Sequence, residues 1–163
     1  CFGTCGSPPN CCSGLGFVGE ITQVNPGLVM SLQDQGYVPV IAPLARGEDG
    51  HVYNINADTA AAALAVAIRA KKLVYLTDVE GLYRVFGEED SLIARSTEDG
   101  VKELLACGAV SAGMLPKLES CVVAIDEGVE RVHILDGRIQ HAVLLEVFTP
   151  EGIGTMISKE PVP

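Results

Sequence analysis

The sequence predicts an α/β fold, with an open, mainly parallel sheet between layers of helix. Three observations predict it. Residues 38–44, 73–77 and 132–135 are short apolar runs bounded by turn residues, the pattern of strands covered on both faces. Segments with apolar residues at helical spacing lie between these runs. Strand and helix therefore alternate, which is how parallel strands are joined.

The elements follow in order. Residues 1–13 hold Cys1, Cys5, Cys11 and Cys12 among glycines, serines and two prolines, and read as an irregular tail. Residues 14–163 then form one lobe. Residues 17–24 alternate moderately and read as strand or hairpin. Asn25-Pro26 turns into a helix with Leu28, Val29 and Leu32 at helical spacing, stopped by Gly36. After the strand at 38–44, Gly47-Glu48-Asp49-Gly50 is a turn, and residues 51–54 lead to a helix start. Asn56 is a good N-cap, because its side-chain oxygen can accept the free N–H groups of a first turn. Asp58 lies in that turn, near the positive end of the helix dipole. Residues 60–68 have almost no polar face and read as a buried helix.

Residues 73–77 form the next buried strand. Residues 78–81 make the loop at its carboxyl end, where open α/β sheets place ligands. As a plain turn, this loop would hold Gly81 at positive φ. Residues 88–90 form an exposed acidic loop. Thr97 caps a helix through Gly100, Leu104 and Leu105 that stops at Gly108. Gly113-Met114 opens another, through Lys117, Leu118, Val122 and Ile125 to Gly128. After the strand at 132–135, Gly137 turns into a helix carrying Ala142, Leu144 and Leu145. Residues 155–158 are the last strand.

Composition narrows the partners. A net charge of −10 excludes nucleic acid and anionic membranes, which require basic surfaces. No apolar run approaches the roughly 20 residues of a membrane helix. There is no initial Met and no basic, apolar leader, so nothing marks the chain for secretion. The first four cysteines lack paired C-x-x-C spacing, and Cys107 and Cys121 stand alone in apolar helical contexts. A reducing, cytoplasmic setting is the expectation. His51, His133 and His141 have no ligand-like spacing, so no protein metal cage is expected. Neither G-x-x-x-x-G-K-[ST] nor a helix-opening G-x-G-x-x-G is present.

Two stretches keep chemical potential. Thr77-Asp78-Val79-Glu80-Gly81-Leu82-Tyr83 could form the rim of a flat ligand site. The second is Ser111-Ala112-Gly113-Met114-Leu115-Pro116-Lys117, with a helix start that directs N–H groups toward an anion. Together with Tyr53-Asn54-Ile55-Asn56-Ala57-Asp58, these segments occur in the order and spacing of the amino acid kinase family. The stretches from Ile134 to Thr149 and from Gly152 to Ile157 resemble its acetylglutamate kinase branch. The resemblance covers about residues 15–157 and matches only the second half of that branch, its nucleotide-binding lobe. The opening strand with its catalytic lysine, the glycine-rich substrate segment and the substrate arginine have no counterpart here.

The resemblance implies a three-layer αβα sandwich, and transfer of phosphate from ATP, with Mg²⁺ held mainly by phosphate oxygens, to the side-chain carboxylate of N-acetylglutamate. It implies that Lys117 neutralises charge on the moving phosphoryl group and that Asp58 orients the catalytic lysine. Asn54 and Asn56 would border the substrate. Thr77 to Tyr83 and Ala109 to Leu115 would hold the nucleotide. His133, Glu146 and Gly152 match positions that bind L-arginine in feedback-inhibited members. The chain alone would be inactive, and the cut sheet edge would lead to self-association as a homo-oligomer or be covered by the tail of residues 1–13. The alternative is a non-catalytic module that binds a nucleotide or arginine or serves oligomerisation.

Overall fold

The structure, a computed structural model, describes residues 17–84, 88, 91–108, 110–111, 113–149 and 152–161. It divides into two compact units, Cys1–Arg69 and Ala70–Pro163. The tail expected over residues 1–13 lies outside the described residues.

In the first unit, helix α1 (Gly27–Asp34) follows Asn25, whose Oδ1 accepts from Gly27 N–H at 3.1 Å. It ends as the sequence predicts, with Gly36 at φ 83°. Strands β1 (Leu44–Arg46) and β2 (Val52–Asn54) form an antiparallel pair around the turn at Gly47 to Gly50. Tyr53 closes that turn, donating its hydroxyl to Asp49 at 2.6 Å. Helix α2 (Ala57–Ala67) follows, and Ala60 joins Ala45, Tyr53 and Ile55 in one buried cluster.

Three expectations change here. The run 38–44 is not a strand covered on both faces. Only Leu44 enters a strand, and that strand is antiparallel. Pro39 and Pro43 have no N–H to give to a ladder, and Val38 and Val40 are 88 and 96% exposed. Residues 17–24 form no continuous strand and make isolated bridges at Val18, Ile21 and Val24, the first to Asn54. Helix α2 is buried at Ala60, Ala62 and Ala65, but Ala61, Ala63 and Leu64 are half-buried. Alanine suits either environment, so its lack of polarity overstates burial.

The second unit carries the main sheet, with order β3 (Lys72–Thr77), β7 (Arg131–Asp136), β8 (Thr155–Ser158), β6 (Arg95–Thr97). Pairs β3–β7 and β6–β8 are parallel and β7–β8 is antiparallel, so the sheet is mainly parallel, as predicted. Helix α3 (Glu98–Ala106) is capped by the Thr97 hydroxyl, which accepts from Gly100 N–H at 3.2 Å. Helices α4 (Leu115–Asp126) and α5 (Ala142–Phe148) both pack on β7. From Val132 to Asp136 every residue of β7 is buried, so both faces of this central strand are covered. The core joins Leu118, Cys121, Val132, Ile134 and Ile157. A two-residue hairpin, β4 (Leu82–Tyr83) with β5 (Leu92–Ile93), was not visible in the periodicity. Neither was β6, since three residues are too few to show a period of two. Among the described residues, no helix is long and apolar enough to cross a membrane.

Candidate functional site

Strands β3 and β7 run in register and end together at Thr77 and Asp136. The loop that leaves Thr77 borders an apolar cleft lined by Val79, Gly81, Leu82, Tyr83, Leu104, Val110, Ser111 and Met114. The two stretches singled out in the sequence, 77–83 and 109–115, therefore face one cleft. Leu104 of α3 closes it, a contribution that sequence order does not reveal. Ala109 and Ala112 lie outside the described residues. Asp78 and Glu80 are exposed, and Tyr83 donates its hydroxyl to Glu80 at 2.7 Å. Thr77 donates to Asp78 at 3.2 Å.

Gly81 is required for a reason other than the predicted one. Its φ is not positive. A Cβ there would collide with the Thr155 hydroxyl. Thr155 is fully buried on β8; it accepts from Leu82 N–H at 2.8 Å and donates to Ile93 O at 2.7 Å. One hydroxyl thus fastens both strands of the β4–β5 hairpin to the main sheet, and with them Leu82, which lines the cleft. The sequence held one signal for it: a threonine in a buried strand must find partners for its hydroxyl.

Helix α4 opens beside the cleft. Met114 is its N-cap and makes no side-chain cap hydrogen bond, and Pro116 sits in the first turn. A Cβ on Gly113 would meet nothing within 4 Å, so the backbone there faces open space. Lys117, half-buried, lies one residue past Pro116. Its Nζ sits 4.9 Å from the centre of the Tyr75 ring, a cation–π contact that restrains the side chain. Tyr75 was missed because an aromatic residue in a buried strand resembles ordinary core.

At the end of β7, the Asp136 carboxylate accepts from the Arg138 guanidinium at 2.8 to 3.2 Å and from Arg138 N–H at 2.9 Å. These bonds hold the Asp136 carboxyl below the usual aspartate range.

Asn54, Asn56 and Asp58 belong to the first unit. Asn56 caps α2 as predicted, its Oδ1 accepting from Asp58 N–H at 2.9 Å and Thr59 N–H at 3.1 Å. Asp58 is half-buried in the first turn, and Asn54 is exposed at the end of β2.

A second cavity in the second unit, of about 170 Å³, is lined by Lys72, Arg95, Arg131, His133, Glu146, Thr149 and Gly152, among others. Its centre is a buried pair, His133 Nδ1 lying 2.7 Å from Glu146 Oε1. Glu146 Oε2 accepts from Ile153 N–H at 2.7 Å and Gly154 N–H at 3.2 Å. Burial pushes the Glu146 carboxyl up. The Ile153 N–H, the His133 ring and the Gly154 N–H together outweigh burial and hold it below the ordinary glutamate value of 4.5. His133 Nε2 is buried with no hydrogen-bond partner among the described residues. The three predicted effector residues therefore line one cavity.

The amino acid kinase family matches residues 3–136. The chain belongs to this family. It is 51% identical over 146 residues to the acetylglutamate kinase of Caldanaerobacter subterraneus subsp. tengcongensis, covering 90% of this chain and 49% of that protein. It is 55% identical over 144 residues to the acetylglutamate kinase of Desulfitobacterium hafniense, covering 88 and 48%. Among solved structures it resembles N-acetylglutamate synthase from Neisseria gonorrhoeae complexed with coenzyme A and L-arginine. There the TM-score is 0.80 and identity 32%, over 88% of this chain and 33% of that one. This amino acid kinase chain thus spans about half the length of the curated relatives it matches. The predicted α/β class and mainly parallel sheet agree with those likenesses.

Proposed function

We propose that this chain is the ATP-binding lobe of an acetylglutamate kinase, which phosphorylates the side-chain carboxylate of N-acetylglutamate in arginine synthesis. One observation carries the reading: segments 79–83 and 110–114 line a single apolar cleft, with Lys117 two residues beyond the helix start. The base would lie against the apolar side chains Val79, Leu82, Val110 and Met114 that line the cleft. The phosphates then extend toward the first turn of α4, whose N–H groups and dipole favour an anion. Phosphoryl transfer is mostly positioning and charge stabilisation. Lys117 supplies a mobile positive charge for the transferred group, and Tyr75 limits where it swings. In the first unit, Asp58 matches the acid that orients the family's catalytic lysine, and Asn54 and Asn56 match the border of its acyl acceptor. Mg²⁺ accompanies ATP, its ligands coming mainly from phosphate oxygens. The lobe alone binds nucleotide and does not turn over.

Photolabelling with 8-azido-ATP tests the reading. The expected label falls in peptides containing residues 79–84 or 110–117 and disappears under excess ATP. Label placed elsewhere, or indifferent to ATP, overturns it.

A second reading concerns regulation and rests on the cavity at His133. Lys72 and Arg131 are register partners on adjacent strands, and Arg95 joins them there. Clustered cations suit a ligand carboxylate, and Glu146 suits a guanidinium. L-Arginine carries both groups, so the effector site proposed at His133, Glu146 and Gly152 is chemically matched. A chain that bound arginine but no nucleotide would be the non-catalytic module instead.

A further inference from the structure

Helix α3 has two working faces. Glu98 and Val101 are buried. Gly100, Glu103, Leu104 and Cys107 recur at the spacing of another face, and all four line a third cavity of the second unit, of about 480 Å³. Glycine at position 100 lets the helix lie close to β6, because a Cβ there would come within 2.9 Å of the Ser96 hydroxyl. Arg84 and Ile93, from the β4–β5 hairpin, and Arg95, from β6, line the cavity as well. It shares Leu104 with the cleft proposed for nucleotide and Arg95 with the cavity at His133. Its other lining residues belong to neither site.

We propose that this cavity binds a small monocarboxylate with an apolar body. Two arginines from different strands border it, in a chain whose net charge is −10. A guanidinium is always charged, and its planar fork takes a carboxylate through two parallel hydrogen bonds. The Thr97 hydroxyl, also in the lining, accepts from Gly100 N–H and still carries a proton to donate to an oxyanion. Ile93 and Leu104 add apolar wall, which an acyl body covers and a bare inorganic anion does not. Glu103 limits the ligand's charge. Two arginines against one glutamate leave a single positive charge, which suits one carboxylate and not a triphosphate.

The isotope-labelled chain is titrated with hexanoate, and with hexylamine, hexanol and acetate as controls, while amide shifts are followed by NMR. Saturable shifts with hexanoate are expected at Arg95, Thr97, Gly100, Glu103 and Cys107, and the three controls should bind about tenfold more weakly or not at all. Cys107 gives a second readout, since its thiol is exposed. Hexanoate should slow its alkylation by N-ethylmaleimide, read on the Cys107 peptide by mass spectrometry. Arg84→Gln should weaken hexanoate about tenfold. Glu103→Gln removes the like charge and should tighten it, an effect that a damaged fold would not produce. No saturable shift, equal binding of hexanol, shifts confined to residues 131–133 and 146–153, or an unchanged affinity in either variant overturns the proposal. The titration contains no nucleotide. Its failure leaves the proposed ATP cleft untouched, and a failure of ATP labelling leaves this site standing.

Discussion

Thr155 and Glu146 show how single side chains fix the sites of this chain. Thr155→Val keeps the shape and removes the hydroxyl between Leu82 N–H and Ile93 O. Leaving a buried donor and acceptor unmatched costs about 1–3 kcal/mol, so the urea midpoint should fall with an unchanged slope. Glu146 predicts a pH dependence. Its carboxyl is held below its unfolded value, so it stabilises the fold above about pH 4.5 and loses that contribution as the pH falls through the folded value. The stability gap between the native chain and Glu146→Gln should be constant near neutrality and close in acid. Urea unfolding across that range measures it; a gap that widens in acid contradicts the assignment. The sequence showed both residues without their partners. Gly81 makes the same point: its place in the loop was legible, but the requirement for glycine comes from Thr155, which follows 74 positions later in the chain.

Elements were legible in proportion to their length and their end signals. Helix α2 starts at Asn56 as expected because a side-chain cap is a local interaction. Asn56→Ala should cost about 1 kcal/mol in thermal or urea unfolding. An unchanged midpoint would mean that the cap hydrogen bonds add nothing. Gly36, Gly108 and Gly128 end their helices at positive φ, which is also a local requirement. The strand expected at 38–44 failed for the converse reason. Its hydrophobicity states that it is to be covered, while covering depends on residues far away in sequence. The hairpin β4–β5 was hidden because it is held by a hydroxyl on another strand and not by its own pattern.

At the level of the molecule, the two cleft-lining segments were legible as a family resemblance and only as that. Taken singly, each stretch is also an ordinary turn or helix start. Their meeting at one cleft comes from the parallel β3–β7 pair and the β8 strand beside it, and no local pattern encodes that meeting. If this lobe binds the triphosphate through Lys117, calorimetry of Mg-ATP and Mg-ADP against the native chain and Lys117→Ala should separate the two nucleotides. Both should bind the native chain saturably, and Lys117→Ala should weaken ATP about tenfold, some 1.4 kcal/mol, while ADP changes little. No saturable heat with either nucleotide, or an equal loss for both, contradicts the assignment.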